Sequence, residues 1–190
     1  MLPRVIAVSG YKRCGKDTIA EYLVRNYGYK NVKIAETLKR VCQIVFGLND
    51  EQLDGSKKEE IDERWGIAPR KIMQFIGTEV MQYQIQQLLP GIGRTFWIRS
   101  LITKYSNTNE PIVISDLRFK HEYEELRKAF GSRAYFFQVK KALNDKDLDE
   151  HSSETEWMNI PYDFQLSNNG TIEDLYIQVD ECMKMIKTNS

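Results

Sequence analysis

The stretch RVIAVSGYKRCGKDT (residues 4–18) joins a short apolar run to a glycine-containing loop and to the start of a helical pattern. The β-branched run Arg4–Val8 predicts a buried parallel strand. From Lys16 to Tyr27, apolar side chains recur at helical spacing. In a strand–loop–helix unit, backbone N–H groups can curl around phosphate oxygens while the helix N-terminus faces the anion. We therefore predict a phosphate-binding loop over Gly10–Lys16, with an ordinary strand-to-helix turn as the alternative.

The residue types in this loop suit the binding of a polyphosphate. Gly10 and Gly15 provide the small residues that close backbone approach requires, and the ammonium group of Lys16 can bridge the outer phosphates. Lys12 and Arg13 lie inside the loop, from where they can reach towards a phosphate that is being transferred. We predict that Lys16 and Arg13 take part in catalysis and that Lys12 contributes to nucleotide binding.

Asp17 occupies the position after the lysine, where loops of this kind usually have Ser or Thr. A carboxylate beside a triphosphate is repelled unless a cation lies between them. Asp17 is therefore either a direct or water-bridged ligand of Mg²⁺, or an acidic first-turn residue that stabilises the helix dipole and turns outward. Thr18 is a second candidate for the metal site, and its hydroxyl can also meet the α-phosphate.

Length, charge and cysteine usage restrict the classes of function. The 190 residues fit one globular domain, and 27 basic residues balance 27 acidic ones, so no overall positive field would recruit nucleic acid. The three cysteines lack the paired spacing of a zinc site or a disulfide framework. No apolar run has the length of a signal peptide or a membrane span, which predicts a cytoplasmic protein without a membrane partner.

The rest of the chain alternates between strand and helix patterns. Further strands are predicted at residues 31–36, 111–116, 133–139 and 162–167, the last of which breaks at Asn168-Asn169-Gly170. Strands separated by helices predict an α/β fold with a five-stranded parallel sheet and helices on both faces. Two segments interrupt this alternation, a helical insertion at about residues 36–106 and a polar stretch at about residues 140–157.

Several local signals divide the helical insertion into short elements. The segments Asn49–Gln52 and Ser56–Glu59 have the sequence pattern of capping boxes. Pro69 is well placed as the first residue of a helix that continues through Val80. Thr95 is predicted to cap the helix that follows.

Five stretches of the sequence together resemble a known family of enzymes. They are GYKRCGKDT, PRKIMQFIGTEVMQ, FWIRSL, VISDLRF and FQLSNNGTIEDL. They resemble the deoxynucleoside monophosphate kinases of phages and large DNA viruses, which belong to the P-loop nucleoside monophosphate kinase superfamily. The resemblance extends from residue 5 to about residue 180, and the Gly-Lys-Asp-Thr ending of the loop is similar to the variant of that family.

This resemblance implies a P-loop kinase fold in a single domain, with ATP and Mg²⁺ as cofactors and a small-molecule nucleotide as phosphate acceptor. It also suggests a homodimer, a viral source and, with it, the host cytoplasm. Animal-type phosphomevalonate kinases share the Gly-Lys-Asp loop, and dephospho-coenzyme A kinases share the general plan. Kinases of those two acceptors therefore remain alternatives, as does a nucleotide-binding protein without transfer activity.

Kinases of this architecture carry the acceptor site on a helical insertion after the second strand. Arg70 and Gln74 are one helical turn apart, so their side chains share one face, and Thr78 continues it. A guanidinium fork suits a dianionic phosphate and an amide suits a base edge. We predict that Arg70 and Gln74 bind the acceptor; a solvated helix face is the alternative.

Four other residues are candidates for the acceptor side. Lys39 follows the second strand and can add positive charge, and Trp97 can stack on a base unless it belongs to the core. Asp116 and Arg118 end the third strand, where open α/β sheets place their ligands. Asp116 is predicted to hold Mg²⁺ through water or to orient the acceptor, and Arg118 to contact phosphate in catalysis. A helix cap beside a surface arginine is the alternative for this pair.

The polar stretch at residues 140–157 matches the lid of such kinases in position. Lids of the superfamily commonly supply arginines to the transition state, but the last arginine of this chain is Arg133. A lysine cannot make the bidentate contacts that an arginine makes with phosphate. The part that lid arginines would take in catalysis is therefore expected of Arg13, Arg70 and Arg118.

The turn Asn168-Asn169-Gly170 follows the fifth predicted strand and resembles the adenine-binding turn of these kinases. Glycine permits close approach of the backbone to a purine. Asn169 and Gly170 are therefore predicted to belong to the ATP site.

Overall fold

The computed structural model describes residues 2–142 and 156–188. The chain divides into two compact units, one formed by Met1–Lys33 with Ile102–Ser190 and the other by Ile34–Leu101. Within the described residues, no helix combines the length and apolarity that crossing a membrane would require.

The first unit contains a five-stranded sheet. Its strands are β1 (Val5–Gly10), β2 (Lys30–Val32), β3 (Ile112–Leu117), β4 (Ala134–Lys140) and β5 (Phe164–Ser167). They lie in the order β2-β3-β1-β4-β5, and every pairing is parallel. The predicted parallel sheet is confirmed. β2 is shorter than predicted, because the chain turns after Val32 to enter the next helix at Glu36.

The helices alternate with these strands and fill the insertion after β2. They are α1 (Lys16–Tyr27), α2 (Glu36–Phe46), α3 (Asp50–Leu53), α4 (Pro69–Gln74), α5 (Phe96–Tyr105), α6 (Lys120–Phe130) and α7 (Ile172–Thr188). α1 begins at the lysine of the glycine loop, as the sequence predicts.

Two neighbouring phenylalanines of β4 show that helices cover both faces of the sheet. Phe137 belongs to a buried cluster with Ile19 of α1 and Val179 of α7. The ring of Phe136 instead meets Tyr123 of α6, with 4.4 Å between ring centroids. Successive side chains of a strand point to opposite faces, so α6 lies on the face away from α1 and α7. The prediction of helices on both faces is confirmed.

The second unit is built from short helices around a small apolar core of its own. The buried members of that core are Cys42, Leu48, Leu53, Ile72 and Met73. They come from α2, the two segments that follow it, and α4. Four of the residues predicted for acceptor binding, Lys39, Arg70, Gln74 and Trp97, are therefore carried by this second unit, whereas Asp116 and Arg118 belong to the first.

The helix that begins at Pro69 does not remain α-helical as far as Val80. From Phe75 to Tyr83 it is a π-helix, so the predicted continuous α-helical stripe is wrong beyond Gln74. Gly77 lies in this segment, and a Cβ at Gly77 would be 2.7 Å from a methyl carbon of Leu38. Wide turns of this kind often accompany functional sites, and the glycine lets another helix approach closely.

The predicted capping boxes have different outcomes. At Asn49–Gln52 each side chain accepts from the backbone N–H of the other residue, both at 3.1 Å, so this box is confirmed. At Ser56–Glu59 the prediction is wrong, because residues Ser56–Lys58 form a 3₁₀ turn without a side-chain cap. The hydroxyl of Ser56 donates to Glu51 instead, while Glu59 is engaged by an arginine.

The predicted cap at Thr95 is also wrong. Thr95 ends a short 3₁₀ turn that begins at Gly93 and leads directly into α5. Its hydroxyl donates to the carbonyl of Ile92, so it satisfies the preceding turn rather than the first N–H groups of α5.

Candidate active site

The glycine loop lies at the edge of the sheet where all five parallel strands end. Gly10 closes β1 opposite Val139 of β4. Towards β3 the register shifts, because Ala7 pairs with Ile114 but Ser9 pairs with Leu117. Such irregularities re-aim side chains next to active sites. Here the shift falls at residues 115 and 116, near the carboxyl end of β3.

Both glycines of the loop are required by its backbone and its packing. Gly10 and Gly15 have φ angles of 148° and 108°, a region that side chains with a Cβ rarely adopt. A Cβ at Gly10 would lie 2.6 Å from the carbonyl oxygen of Val139. The loop is therefore pressed against β4, and only glycine fits there.

The ammonium group of Lys16 is folded back onto the loop. Its Nζ atom donates to the carbonyl oxygens of Gly10 and Tyr11, at 2.8 and 2.6 Å. These bonds hold a positive charge directly beside the backbone that is predicted to surround a phosphate. The thiol of Cys14 is buried under the loop, and burial raises its pKa, so the sulfur stays neutral and does not oppose an anion.

Lys12 and Arg13 occupy the outer surface of the loop. Both side chains are exposed, and Lys12 Nζ lies 5.6 Å from the ring centroid of Tyr11. Arg13 has a φ angle of 59°, an uncommon value for a residue with a Cβ, which turns the chain sharply before Cys14. Their predicted roles towards phosphate remain predictions.

Asp17 connects the first turn of α1 to the ends of two strands. Its Oδ1 atom accepts a hydrogen bond from Ser115 Oγ at 3.0 Å and lies 3.0 Å from Lys33 Nζ. Partial burial would raise the pKa of Asp17, but its contacts with Lys33 and Ser115, together with the charge of Lys16, lower it. The carboxylate is thus ionised and held by the sheet edge. Thr18 follows it, half-buried in the same turn.

Asn168, rather than Asn169, joins the end of β5 to the phosphate loop. Its side-chain Nδ2 donates to the carbonyl of Cys14 at 2.8 Å. A Cβ at Gly15 would lie 2.6 Å from the same nitrogen, so the asparagine fills the space that the glycine leaves. Sequence reasoning selected Asn169 and Gly170 and missed this residue, although it opens the same Asn-x-Gly turn.

Asn169 and Gly170 make other contacts. Asn169 Oδ1 accepts from the backbone N–H of Ala142 at 2.7 Å, so it holds the chain that follows β4. A Cβ at Gly170 would meet the side chain of Asp174, which follows in the first turn of α7. Their contact with adenine remains a prediction.

Asp116 lies near the end of β3, and Arg118 follows the strand in a turn that is fixed by a buried carboxyl group. Asp116 is half-buried and Arg118 is exposed. One oxygen of Glu122 accepts from the backbone N–H groups of Arg118 and Phe119, at 2.9 and 3.0 Å. Burial raises the pKa of Glu122 to about 8, and the nearby charge of Asp116 adds to the increase. No motif or spacing singles out Glu122, because its burial depends on tertiary packing.

In the second unit, the basic residues predicted to bind the acceptor are engaged in ion pairs. Arg70 Nε contacts Glu59, and Lys39 Nζ contacts Asp54. Gln74 lies one turn after Arg70 and is exposed, like Arg70. The predicted shared face of these two residues is present in α4, although the π-helical segment begins before Thr78 could continue it.

Trp97 is buried and contributes to packing of the insertion. Its indole N–H donates to the carbonyl of Gly77 at 2.9 Å, and its ring meets Phe96 edge-on. Only 8% of Trp97 is exposed, which leaves little ring surface for a nucleotide base. Its predicted stacking on the acceptor therefore gains no support from its observed contacts.

The sequence matches one known family over almost its whole length. The profile of the family described as "Deoxynucleotide monophosphate kinase" matches residues 4–60 and 55–179. A protein of Acanthamoeba polyphaga mimivirus, described as a "Putative deoxynucleotide monophosphate kinase", is 35% identical over 94% of this chain and 95% of its own length. The chain belongs to the deoxynucleotide monophosphate kinase family. It is a phosphotransferase of that class, and the resemblance drawn from the sequence is confirmed.

Solved structures show the same fold at low sequence identity. A dephospho-CoA kinase from Campylobacter jejuni aligns with a TM-score of 0.54 and 14% identity, covering 98% of this kinase and 99% of that chain. A gluconokinase from Sinorhizobium meliloti 1021 aligns with a TM-score of 0.52 and 12% identity, covering 100% and 98%. These similarities support the P-loop kinase fold and do not bear on the acceptor.

The lid predicted for this kinase lies largely outside the described residues. Of the predicted lid, residues 143–155 are not among the described residues. Of the lysines considered there, Lys140 ends β4 and Lys141 follows it, and both are exposed. The lid assignment therefore remains a prediction.

Proposed function

We propose that this kinase transfers the γ-phosphoryl group of ATP to a deoxynucleoside monophosphate. The observation that carries the proposal is the position of Lys16, whose ammonium is held against the backbone of a glycine loop at the carboxyl edge of the sheet. This geometry supports a donor-phosphate site, and family membership favours a nucleotide acceptor over phosphomevalonate or dephospho-coenzyme A and a working enzyme over a binding protein.

The donor phosphates are bound mainly by preformed groups of the loop. The backbone N–H groups at the start of α1 and the helix dipole favour an anion. Lys16 can exchange its bonds to the Gly10 and Tyr11 carbonyls for bonds to phosphate oxygens without a change of backbone. Arg13 and Lys12 add positive charge at the exposed side of the loop.

The residues at the sheet edge fit a magnesium ion. Mg²⁺ prefers a few carboxylate or hydroxyl oxygens and retains water molecules. The ionised carboxylate of Asp17, the hydroxyl of Thr18 and the half-buried carboxylate of Asp116 provide such oxygens at one edge of the sheet. When bound, Mg²⁺ neutralises charge on the phosphoryl oxygens.

The helical insertion, residues 36–106, is proposed to bind the acceptor. Arg70 would grip its phosphate after releasing Glu59, and Gln74 would meet its base edge one turn away. Lys39 would add charge, and Arg118 would contact phosphate from the turn that Glu122 fixes. A phosphate acceptor is already ionised, so this chain needs no general base. Catalysis depends on positioning and charge neutralisation.

A coupled assay of ADP release tests this function. The panel contains the four deoxynucleoside monophosphates, phosphomevalonate and dephospho-coenzyme A, with ATP and Mg²⁺ in each reaction. We expect at least one deoxynucleotide to raise ADP release far above background ATP hydrolysis. The proposal fails if no deoxynucleotide does so, and a response to either of the other two compounds would reassign the acceptor.

A further inference from the structure

Lys33 stands at the carboxyl end of β2, immediately before the helical insertion, and no function was assigned to it from the sequence. Its Nζ atom lies 3.0 Å from Asp17 Oδ1. Ser115 Oγ donates to that same oxygen, also at 3.0 Å. Two strands therefore converge on one carboxylate in the first turn of α1.

The location of this carboxylate creates an electrostatic problem for a kinase. Asp17 directly follows Lys16, so its charge lies next to the group that should bind the donor phosphates. A triphosphate brings several negative charges to the same place, and like charges at such separations repel. When no Mg²⁺ is bound, Ser115 cannot offset that repulsion because it is neutral, whereas the ammonium of Lys33 can.

The Lys33–Asp17 pair is poorly suited to a purely structural role. Its side chains are 43% and 65% exposed, respectively, and exposed ion pairs contribute little to the stability of a fold. In this position the pair affects the electrostatic potential at the loop more than it affects the free energy of folding. The unusual aspartate of the loop thus has a partner that cancels its charge.

We propose that Lys33 is a charge-compensating residue of the donor-phosphate site, whose ammonium cancels the repulsion between Asp17 and a bound polyphosphate. This inference rests on the proposed function only in requiring that the glycine loop binds a polyphosphate. It does not depend on the identity of the acceptor or on phosphoryl transfer.

Binding of inorganic triphosphate, measured by calorimetry in EDTA at low salt, tests this role directly. Removing Lys33 (K33A, with K33M as a second variant that keeps an apolar side chain) should weaken binding about tenfold. The weakening should shrink in about 0.5 M salt, because salt screens exposed charges. D17N should bind at least as well as wild type, since the amide oxygen can still accept from Ser115.

The double variant K33A/D17N decides between compensation and direct contact. If Lys33 acts by cancelling the charge of Asp17, the double variant, which loses both charges of the pair, should bind triphosphate about as well as wild type. K30A is the matched control, because Lys30 begins the strand that Lys33 follows and pairs with Glu110 at 3.2 Å. It should bind within about twofold of wild type, since exposed surface pairs have small effects.

The proposal is overturned if K33A and K33M bind triphosphate as wild type does, or if wild type fails to bind it. It is also overturned if the double variant binds as weakly as K33A, because Lys33 would then contact phosphate directly. If the variants bind triphosphate as expected but wild type releases no ADP in response to any acceptor, this inference stands and the proposed kinase function fails.

Discussion

The glycine-loop unit and the helical insertion hold their basic side chains in different ways. In the loop, Lys16 is bonded to backbone carbonyls, and Asn168 secures the carbonyl of Cys14. In the insertion, Arg70 is exposed and is engaged by the exposed carboxylate of Glu59. The ammonium of Lys16 is thus held by the loop backbone, whereas Arg70 must leave Glu59 before it can bind an acceptor phosphate.

This difference predicts how substitutions in the two regions should differ. Changes in the loop should impair ATP binding or the transfer step itself, because the positions of the donor phosphates depend on its backbone. Changes in the insertion should act on the acceptor and spare ATP.

Replacing Lys16 by alanine should reduce kcat at saturating deoxynucleotide about a thousandfold, the size expected when one preorganised electrostatic group is lost. The measurement is ADP release under steady-state conditions. Lys184, exposed on α7, provides the control, and K184A should keep normal kcat. A kcat for K16A within tenfold of wild type would contradict the assignment of Lys16.

Replacing Arg70 by alanine should raise the KM for the acceptor about thirtyfold, because a hydrogen-bonded charge pair with phosphate is lost. The KM for ATP should change less than about twofold, since the loop keeps its backbone contacts. E59Q is the matched variant, and it should lower the acceptor KM by releasing Arg70 from competition. Equal changes in both KM values for R70A would refute its assignment to the acceptor.

Replacing Asn168 by alanine should raise the KM for ATP about fivefold, the effect of one hydrogen bond worth about 1 kcal/mol. The reason is that the bond from its amide to the Cys14 carbonyl fixes the loop. N169A is the comparison, because Asn169 bonds to Ala142 and not to the loop in the described residues. If N169A raises the KM for ATP more than N168A does, the sequence-based choice of Asn169 was the better one.

Replacing Glu122 by glutamine should change stability in a pH-dependent way. The folded carboxyl keeps its proton up to a pKa of about 8, whereas the unfolded chain loses it near 4.5. The free energy of unfolding of wild type should therefore fall as pH rises from about 4.5 to 8, since the folded state binds the extra proton.

The glutamine amide oxygen can accept the same two backbone N–H groups but does not titrate. The free energy of unfolding of E122Q minus that of wild type should therefore increase as the pH rises from about 5 to about 8, as measured by urea unfolding. E124Q is the control, because Glu124 is exposed on the same helix. A difference between E122Q and wild type that stays constant with pH would contradict the buried, protonated state.

The fold was largely predictable because its signals are local. Apolar runs and glycines that neighbour one another in sequence predict the strand Val5–Gly10, the glycine loop and the helix that starts at Lys16. The capping box at Asn49–Gln52 is equally local and is present. The change from α- to π-helix at Phe75 was not predictable, since it accompanies packing against Leu38 and a bond from Trp97.

The candidate site was predictable in its loop and less so in the residues that support it. Lys33, Ser115 and Asn168 act on the loop across the sheet edge, from strands far away in sequence. Periodicity and motif spacing contain no information about such contacts. Glu122 is a further case, because its burial depends on how α6 packs on the sheet.

A crystal structure with a non-hydrolysable ATP analogue and a deoxynucleoside monophosphate tests the contrast between the two regions most directly. We expect Lys16 Nζ to leave the Gly10 and Tyr11 carbonyls for phosphate oxygens while the loop backbone stays in place. We also expect Arg70 to leave Glu59 and to bind the monophosphate. A nucleotide bound elsewhere, with Lys16 still on those carbonyls and Arg70 still on Glu59, would contradict the account.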